Sequence, residues 1–410
     1  MNPPEGSGCM KHALCIGHLS YDITLPMEGY PEENAKYQID GTLESSGGPA
    51  SNAAALLAQW GIPTAFIGTV GLDSYGERAL QDLQEAGVDL RGVSRKASCA
   101  TPLSIILVNT RTGSRTIINR KGGSTISQEE TETLFSHLDS SPPDLLLLDG
   151  HEPEASLTAL AHFPSALSIL DAGSFRRGTE LLAPRVTYCI ASERFAREIL
   201  ALQEKAPGST LPNRESAHGD SVHTSSTVDT GATAPTLPYG ESLHKDSAPS
   251  DSFSSRKSSE VKAAPSSSSN RNQLRYGRLL AALASFGIPL PIVTLGEEGC
   301  CFLHPEYGPQ GSRIGQGNGE PEESFKPRGF HLPAYPAKAI DTTGAGDIFH
   351  GAFAAFLLGG TPFLEALRFA TVAAGLSVER LGGKPSIPRI EEVLKQGETW
   401  IPTWNPIPLP

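Results

Sequence analysis

"DTTGAGDIFHGAFAAFLLGG", residues 341–360, is the stretch on which the fold turns. Asp341 and Asp347 bracket two threonines and two glycines, and an almost unbroken apolar run follows. Glycines at 344 and 346 permit a sharp turn and a close backbone approach. The apolar run has helix length, and the helix is expected to start near Asp347. The N–H groups of 344–347 would then lack partners within the helix. Such a terminus favours an anion, for instance a phosphate with developing charge. Asp347 has two readings. One is an ordinary N-cap, for which Asp is among the preferred residues. The other is a base that takes a proton from a hydroxyl attacking a phosphoryl group.

The stretch "ESSGGPASNAAALLAQWG" (44–61) has the same construction. Gly47 and Gly48 precede a helix pattern, Pro49 suits its first turn, and Asn52 lies on its opening face. A glycine pair lets a small polyol come close, and an amide both donates to and accepts from hydroxyls. A simple turn and cap is the other reading.

Between these stretches, short apolar runs alternate with helix-length amphipathic ones. Strands are expected at 13–17, 64–70, 103–109, 115–119, 144–150, 167–173, 186–192, 291–296 and 300–304. Helices are expected at 50–60, 74–86, 128–138, 154–162, 193–203, 272–286, 347–358, 362–380 and 389–396. Continuous runs such as "DLLLLDG" (144–150) suit central strands covered on both faces. The alternation argues for a layered α/β sandwich with a largely parallel sheet. Ligands in such sheets sit at the carboxyl ends of the strands. There the runs end in "IGHLSYD", "LLDGHE", "LDAGS" and "TLGEEG". Two segments, 37–48 and the hairpin 103–123 with its turn at Thr112-Gly113, have exposed polar faces. They are read as a small extra sheet that covers a site, or as an ordinary edge hairpin.

The chain has 410 residues, enough for one large domain or two small ones with a full core. Its composition breaks once, at 205–270, a segment rich in Ser, Pro and Thr with almost no large aliphatics. Such a segment buries too little apolar area to offset its ordering entropy, so it is expected to be disordered. It joins two helix patterns and is read as an insertion into one domain spanning 11–400, with a second polar loop at 306–329.

With 33 Lys+Arg against 45 Asp+Glu, the net charge of −12 does not suit a general nucleic-acid binder. No secretory h-region and no run on the order of 18 apolar residues is present, so a cytoplasmic protein without a membrane span is expected. The six cysteines form no C-x-x-C pair and read as buried reduced thiols. P-loop, dinucleotide-binding, zinc and G-x-S-x-G motifs are all missing.

Taken together, "DTTGAGDIFHGAF" and "SGGPASNAAALLAQWG" closely resemble the two signatures of the ribokinase-like (PfkB) carbohydrate kinase family. "IGHLSYD", "VTLGEEG" and "GLSVERLGGKPSIP" resemble further family segments. The resemblance implies a three-layer α/β/α sandwich with a mostly parallel central sheet and a small β-sheet lid, about 30–48 and 103–123. It implies transfer of the γ-phosphate of ATP to a sugar hydroxyl, with Mg2+ as cofactor. Asp347 matches the catalytic base, and Gly344, Ala345 and Gly346 match the anion hole. Asp22, Gly47, Gly48 and Asn52 match sugar-binding positions, and Thr294 and Gly296 the nucleotide-side loop. Asp341, Thr343 and Ser386 resemble a monovalent-cation site, typically for K+. The resemblance also implies a homodimer through the lid.

One departure concerns an N-x-x-E motif near magnesium. Here "ASERFARE" has Ser192 for the Asn and Phe195 for the Glu. Glu193 either takes over a water-mediated Mg2+ role or is a first-turn helix carboxylate. The hairpin "NTRTGSRTIINRKG" resembles ketohexokinase-like members, while "LLLDGHEPEA" and "LDAGSFRRG" look like the sulfofructose kinase branch. A ketohexose-like sugar or derivative is therefore expected. A nucleoside kinase of the same fold and a non-catalytic sugar-binding regulator are the alternatives. Arg115, Arg120 and Lys121 on the lid either face an anionic sugar or are solvated. His18 and His151 either touch a sugar hydroxyl or are structural.

Overall fold

The computed structural model describes residues 11–122, 125–136, 142–205, 267–304 and 329–410. A ten-stranded sheet forms the middle layer. Its order from one edge is Asn405–Ile407, Gly329–Leu332, Cys300–Leu303, Pro291–Thr294, Tyr188–Ser192, Leu167–Ala172, Leu145–Leu148, Ala13–Ile16, Thr64–Gly71 and Asp89–Lys96. The strands from Pro291–Thr294 to Asp89–Lys96 run parallel, and the three at the other edge are antiparallel.

The continuous apolar runs have a simple cause. Side chains alternate between faces along a strand, and here both faces are covered. Leu145 and Leu147 enter one core with Leu56, Ile348 and Ala366, from the helices Pro49–Gln59, Ala345–Leu358 and Phe363–Ser377. Leu146 and Leu148 enter the other with Ala155, Phe195 and Leu280, from Pro153–His162, Glu193–Lys205 and Ser267–Ser285. Cys300 and Cys301 divide between the same two cores. Cys15, Cys189, Cys300 and Cys301 are buried free thiols. Burial raises their pKa, that of Cys300 to about 12.

The lid is a four-stranded sheet in the order Leu43–Gly47, Ser20–Met27, Leu103–Asn109, Ser114–Arg120. It differs from the expected lid in its first half. Ser20–Met27, which carries Asp22, is a lid strand, and 30–42 contains none. Proline at 26 and the polar ends of that stretch hid its alternation. The edge strands Asp89–Lys96 and Asn405–Ile407, the strand Gly329–Leu332 between Asn405–Ile407 and Cys300–Leu303, and the short helix Arg177–Leu182 were also not expected.

The proposed insertion lies mostly outside the described residues. Its boundaries are narrower than expected, because Lys205 ends one helix and Ser267–Asn270 open the next. The loop at 306–329 also lies outside, except that Gly329 begins a strand. No helix among the described residues is long and apolar enough to cross a membrane.

Candidate active site

The parallel strands deliver their carboxyl-end loops to one side of the sheet, and the lid lies beyond them. The helix Ala345–Leu358 starts two residues earlier than expected. Its cap is Gly344, in the left-handed region at φ 73°. A side chain there would also press on Gly383, since a Cβ would lie 2.7 Å from its Cα. Asp347 is therefore the third helical residue and not the N-cap. Its carboxylate caps nothing; it accepts a 2.7 Å hydrogen bond from Asn52 Nδ2. The helix's first well-formed bond runs from Ile348 N–H to the Gly344 carbonyl at 2.9 Å. Ala345 N–H has only a 3.4 Å bond to Thr342, and those of Gly344, Gly346 and Asp347 have no backbone acceptor. Unpaired donors and a carboxylate thus share one helix end.

Burial raises the Asp347 pKa to about 7, and the Asp171 charge adds to the rise; Asn52, His350 and Arg115 oppose it. Sequence reasoning missed Asp171 and His350. Asp171 is the last residue but one of the strand Leu167–Ala172, and its Oδ2 lies 3.5 Å from His350 Nδ1. Both residues are buried. His350 Nδ1 also contacts the Gly346 carbonyl, and Nε2 lies 3.2 Å from that of Ile190. A histidine inside an apolar helix pattern and an aspartate inside an apolar strand run were the available signals.

Asp22 and the glycine pair come together as expected. Ser20 Oγ donates to Asp22 Oδ1 at 2.8 Å, and Ser104 adds a further bond. Burial still raises the Asp22 pKa. Any Cβ on Gly47 would lie 1.9 Å from Asp22 Oδ2. Gly48, at φ 110°, brings the chain against the His18 carbonyl. Asn52 Oδ1 is buried without a hydrogen-bond partner, an acceptor left open beside Asp347. The strand pairing puts Thr294 beside Ser192 at the carboxyl edge. Thr294 Oγ1 reaches the Ala191 carbonyl at 3.4 Å, and Gly296 follows in open space at φ 63°.

Asp341 is 1% exposed and works as a backbone clamp. Oδ1 accepts from Thr343 N–H and Oδ2 from Gly382 N–H, both at 2.8 Å. Ser386 Oγ donates to the Gly383 carbonyl at 2.7 Å, while Thr343 Oγ1 is buried without a partner.

Glu193 is a first-turn residue of the helix Glu193–Lys205. It is already paired, 2.6 Å from Arg197 Nη2 and 3.6 Å from Arg275 Nη1. Ser192 Oγ accepts from Phe195 N–H at 3.1 Å, and the Phe195 ring is core. Arg115 is not merely solvated, since its Nη1 donates to Thr342 Oγ1 at 2.6 Å. His18 and His151 stack on each other at 4.4 Å.

An α/β/α sandwich with a lid over a glycine-capped helix end defines a ribokinase-like fold. A ribokinase structure from Arabidopsis thaliana, complexed with ribose and ATP, has this fold. It superposes with a TM-score of 0.60 at 20% identity, covering 95% of this chain and 99% of that one. Residues 10–204 and 271–390 match the model of the pfkB family of carbohydrate kinases, and the chain belongs to that family. It is 38% identical over 100 residues to an ATP-dependent ribose-1-phosphate kinase of Halopiger xanaduensis, 24% of this chain and 34% of that protein. It is 33% identical over 108 residues to a ketohexokinase of Mus musculus, 26% of this chain and 36% of that protein. These two matches span about a third of each relative's length.

Proposed function

We propose that the protein transfers the γ-phosphate of ATP to a hydroxyl of a ketohexose-like sugar or derivative. The observation that carries this reading is Asp347. A buried carboxylate with its pKa near 7 shares a helix end with unpaired backbone donors. Asp347 takes the hydroxyl proton as the oxygen attacks. The amides of 344–347 receive the charge that gathers on the transferring phosphoryl group. Asn52 holds the base in place and keeps an acceptor open for a second hydroxyl. Asp22, with Gly47 and Gly48 beneath it, accepts from hydroxyls on the lid side. Thr294 and Gly296 border the nucleotide. The similarity to a ketohexokinase supports the sugar class.

Mg2+ arrives with ATP, is held largely by phosphates and water, and neutralises phosphate charge. No side chain of this protein is assigned to it. Asp341, Thr343 and Ser386 suit K+: the buried unpartnered Thr343 hydroxyl oxygen and the carboxylate beside it are hard oxygen donors. Such an ion would offset negative charge next to the anion hole. The acidic balance and the reduced thiols suit the cytoplasm. A homodimer through the lid belongs to the same proposal. Ser114–Arg120 is one of the lid's two outer strands, with Ile117 43% and Ile118 58% exposed.

ADP release from ATP, measured across sugars, sugar phosphates and nucleosides, tests the function. Turnover of a sugar or sugar phosphate is expected. Turnover of nucleosides alone would establish the nucleoside kinase alternative, and none at all would leave a sugar-binding regulator.

A further inference from the structure

A cavity of about 520 Å3 lies on the Asp22 side of the site. Its walls include His18, Ser104, Asn119, Arg120, Lys121 and Arg176. Ser104 also bonds Asp22, and the His18 carbonyl packs against Gly48, so the cavity continues the proposed sugar loops. Asp347 and Asn52 are not in its walls. A sugar that presents one hydroxyl to Asp347 and others to Asp22 therefore has room beyond Asp22.

The charge in that space is unbalanced. Arg120, Lys121 and Arg176 contribute three cations, and Glu152 is the one carboxylate among the described lining residues. Glu152 is buried, accepts from Ile126 N–H at 2.8 Å, and is pushed up to about 7 by burial. Asp149 lies beneath with its oxygens already used. It accepts from the N–H groups of His18 at 2.8 Å, His151 at 2.9 Å and Ala50 at 3.2 Å. His151 Nδ1 stands 3.1 Å from Asp149 Oδ1, though off the hydrogen-bond axis.

Arg176 is set by this arrangement. Its Nη1 meets His151 Nε2. A guanidinium only donates, so Nε2 is the acceptor and the ring proton sits on Nδ1, facing Asp149. The described partner of Arg176 is thus a neutral ring, and its Nε is buried with no hydrogen-bond partner. Arg120 is partly engaged, by the Thr101 carbonyl at 2.9 Å, Asp73 at 4.0 Å and the Tyr75 ring. Lys121 is exposed directly after the strand. Arg176 lines the cavity, and no described acceptor takes its Nη2; a cation held in place with a terminal donor unused is an oxyanion receptor.

We propose that this cavity receives an anionic group of the sugar, a phosphate or sulfonate, with Arg176 as its fixed donor and Lys121 closing from the lid. The proposal rests on the sugar kinase reading and narrows it to sugars that already carry a negative charge at the end remote from the reacting hydroxyl.

The test is ADP release with fructose, fructose 1-phosphate, fructose 6-phosphate and 6-deoxy-6-sulfofructose. At least one charged sugar is expected to exceed fructose in kcat/KM by about 100-fold, the scale of one or two charge-assisted hydrogen bonds. The phosphate and sulfonate arms identify the anion. Arg176→Met should reduce that preference by at least about tenfold, and Arg176→Lys should restore part of it. Lys121→Met, at an exposed position, gives the same readout free of folding defects. Fructose used as well as every charged sugar, or a preference unchanged in both Met variants, would overturn the subsite and leave the kinase reading standing. Failure of the folded protein to phosphorylate any of the four, or any other sugar, would overturn both.

Discussion

Asp347 occupies a position that costs stability and, in the proposed mechanism, supplies the base. Burial and the Asp171 charge oppose its ionisation, while Asn52 and His350 favour it. A base must be deprotonated to act, so kcat/KM should fall as pH drops through about 7. Asp171→Asn removes a repelling charge, so the acidic limb should move to lower pH. A limb that stays in place in that variant would show that Asp171 does not act on the base. Much of this was legible in the sequence: the glycines, both aspartates and Asn52 are all local to their motifs. The Asp171–His350 pair was not. Its members are 179 positions apart and meet only through the packing of a helix on a strand. The N-cap reading of Asp347 failed for a related reason, because a left-handed glycine can start the helix before the aspartate.

At the scale of elements, the lid is tied to the loop proposed to carry the chemistry. The carbonyl of Gly113, at the hairpin tip, accepts from Thr342 N–H at 3.3 Å and from Thr342 Oγ1 at 3.1 Å. Arg115 donates to the same hydroxyl. Thr342 lies within the "DTTGAGD" turn, so lid position and the geometry of the proposed anion hole are linked. Arg115→Ala removes one charged side chain and frees one edge of the lid. It should raise the sugar KM by roughly tenfold, the scale of one charge-assisted hydrogen bond. An unchanged KM would mean that the contact is incidental. The hairpin 103–123 was legible from its alternation and its Thr-Gly turn. The strand Ser20–Met27 was not, since it contains Pro26 and pairs in parallel with Leu103–Asn109, far along the chain. The strands Gly329–Leu332 and Asn405–Ile407, of four and three residues, offered too short a pattern to read.

At the scale of the whole molecule, the main body of the described chain is one sheet covered on both faces, and its continuous apolar runs announced the architecture. Its described helices Glu193–Lys205 and Ser267–Ser285 lie side by side and run the same way. Glu193 is near Arg275 at 3.6 Å, while Gln203 reaches Ser285 at 2.9 Å. Lys205 and Ser267 are thus at opposite ends of the pair, separated by about 27 Å of helix rise. We propose that 206–266 is an insertion in a single domain. Replacing it by about ten or more flexible residues should preserve a cooperative melt, whereas a direct splice cannot span the gap. Loss of the cooperative transition with the long linker would show that the segment is part of the core fold. The direction of the second helix was beyond sequence reading, because periodicity fixes a helix's face and not its partner's orientation.

The most direct measurement is turnover of Asp347→Asn, with ATP and sugar binding followed by calorimetry in the same preparation. Loss of general-base catalysis should lower kcat by about 10²–10⁴-fold while both ligands bind within a few-fold of the parent protein. Near-parental turnover in the folded variant would contradict the assignment of Asp347 and, with it, the proposed mechanism.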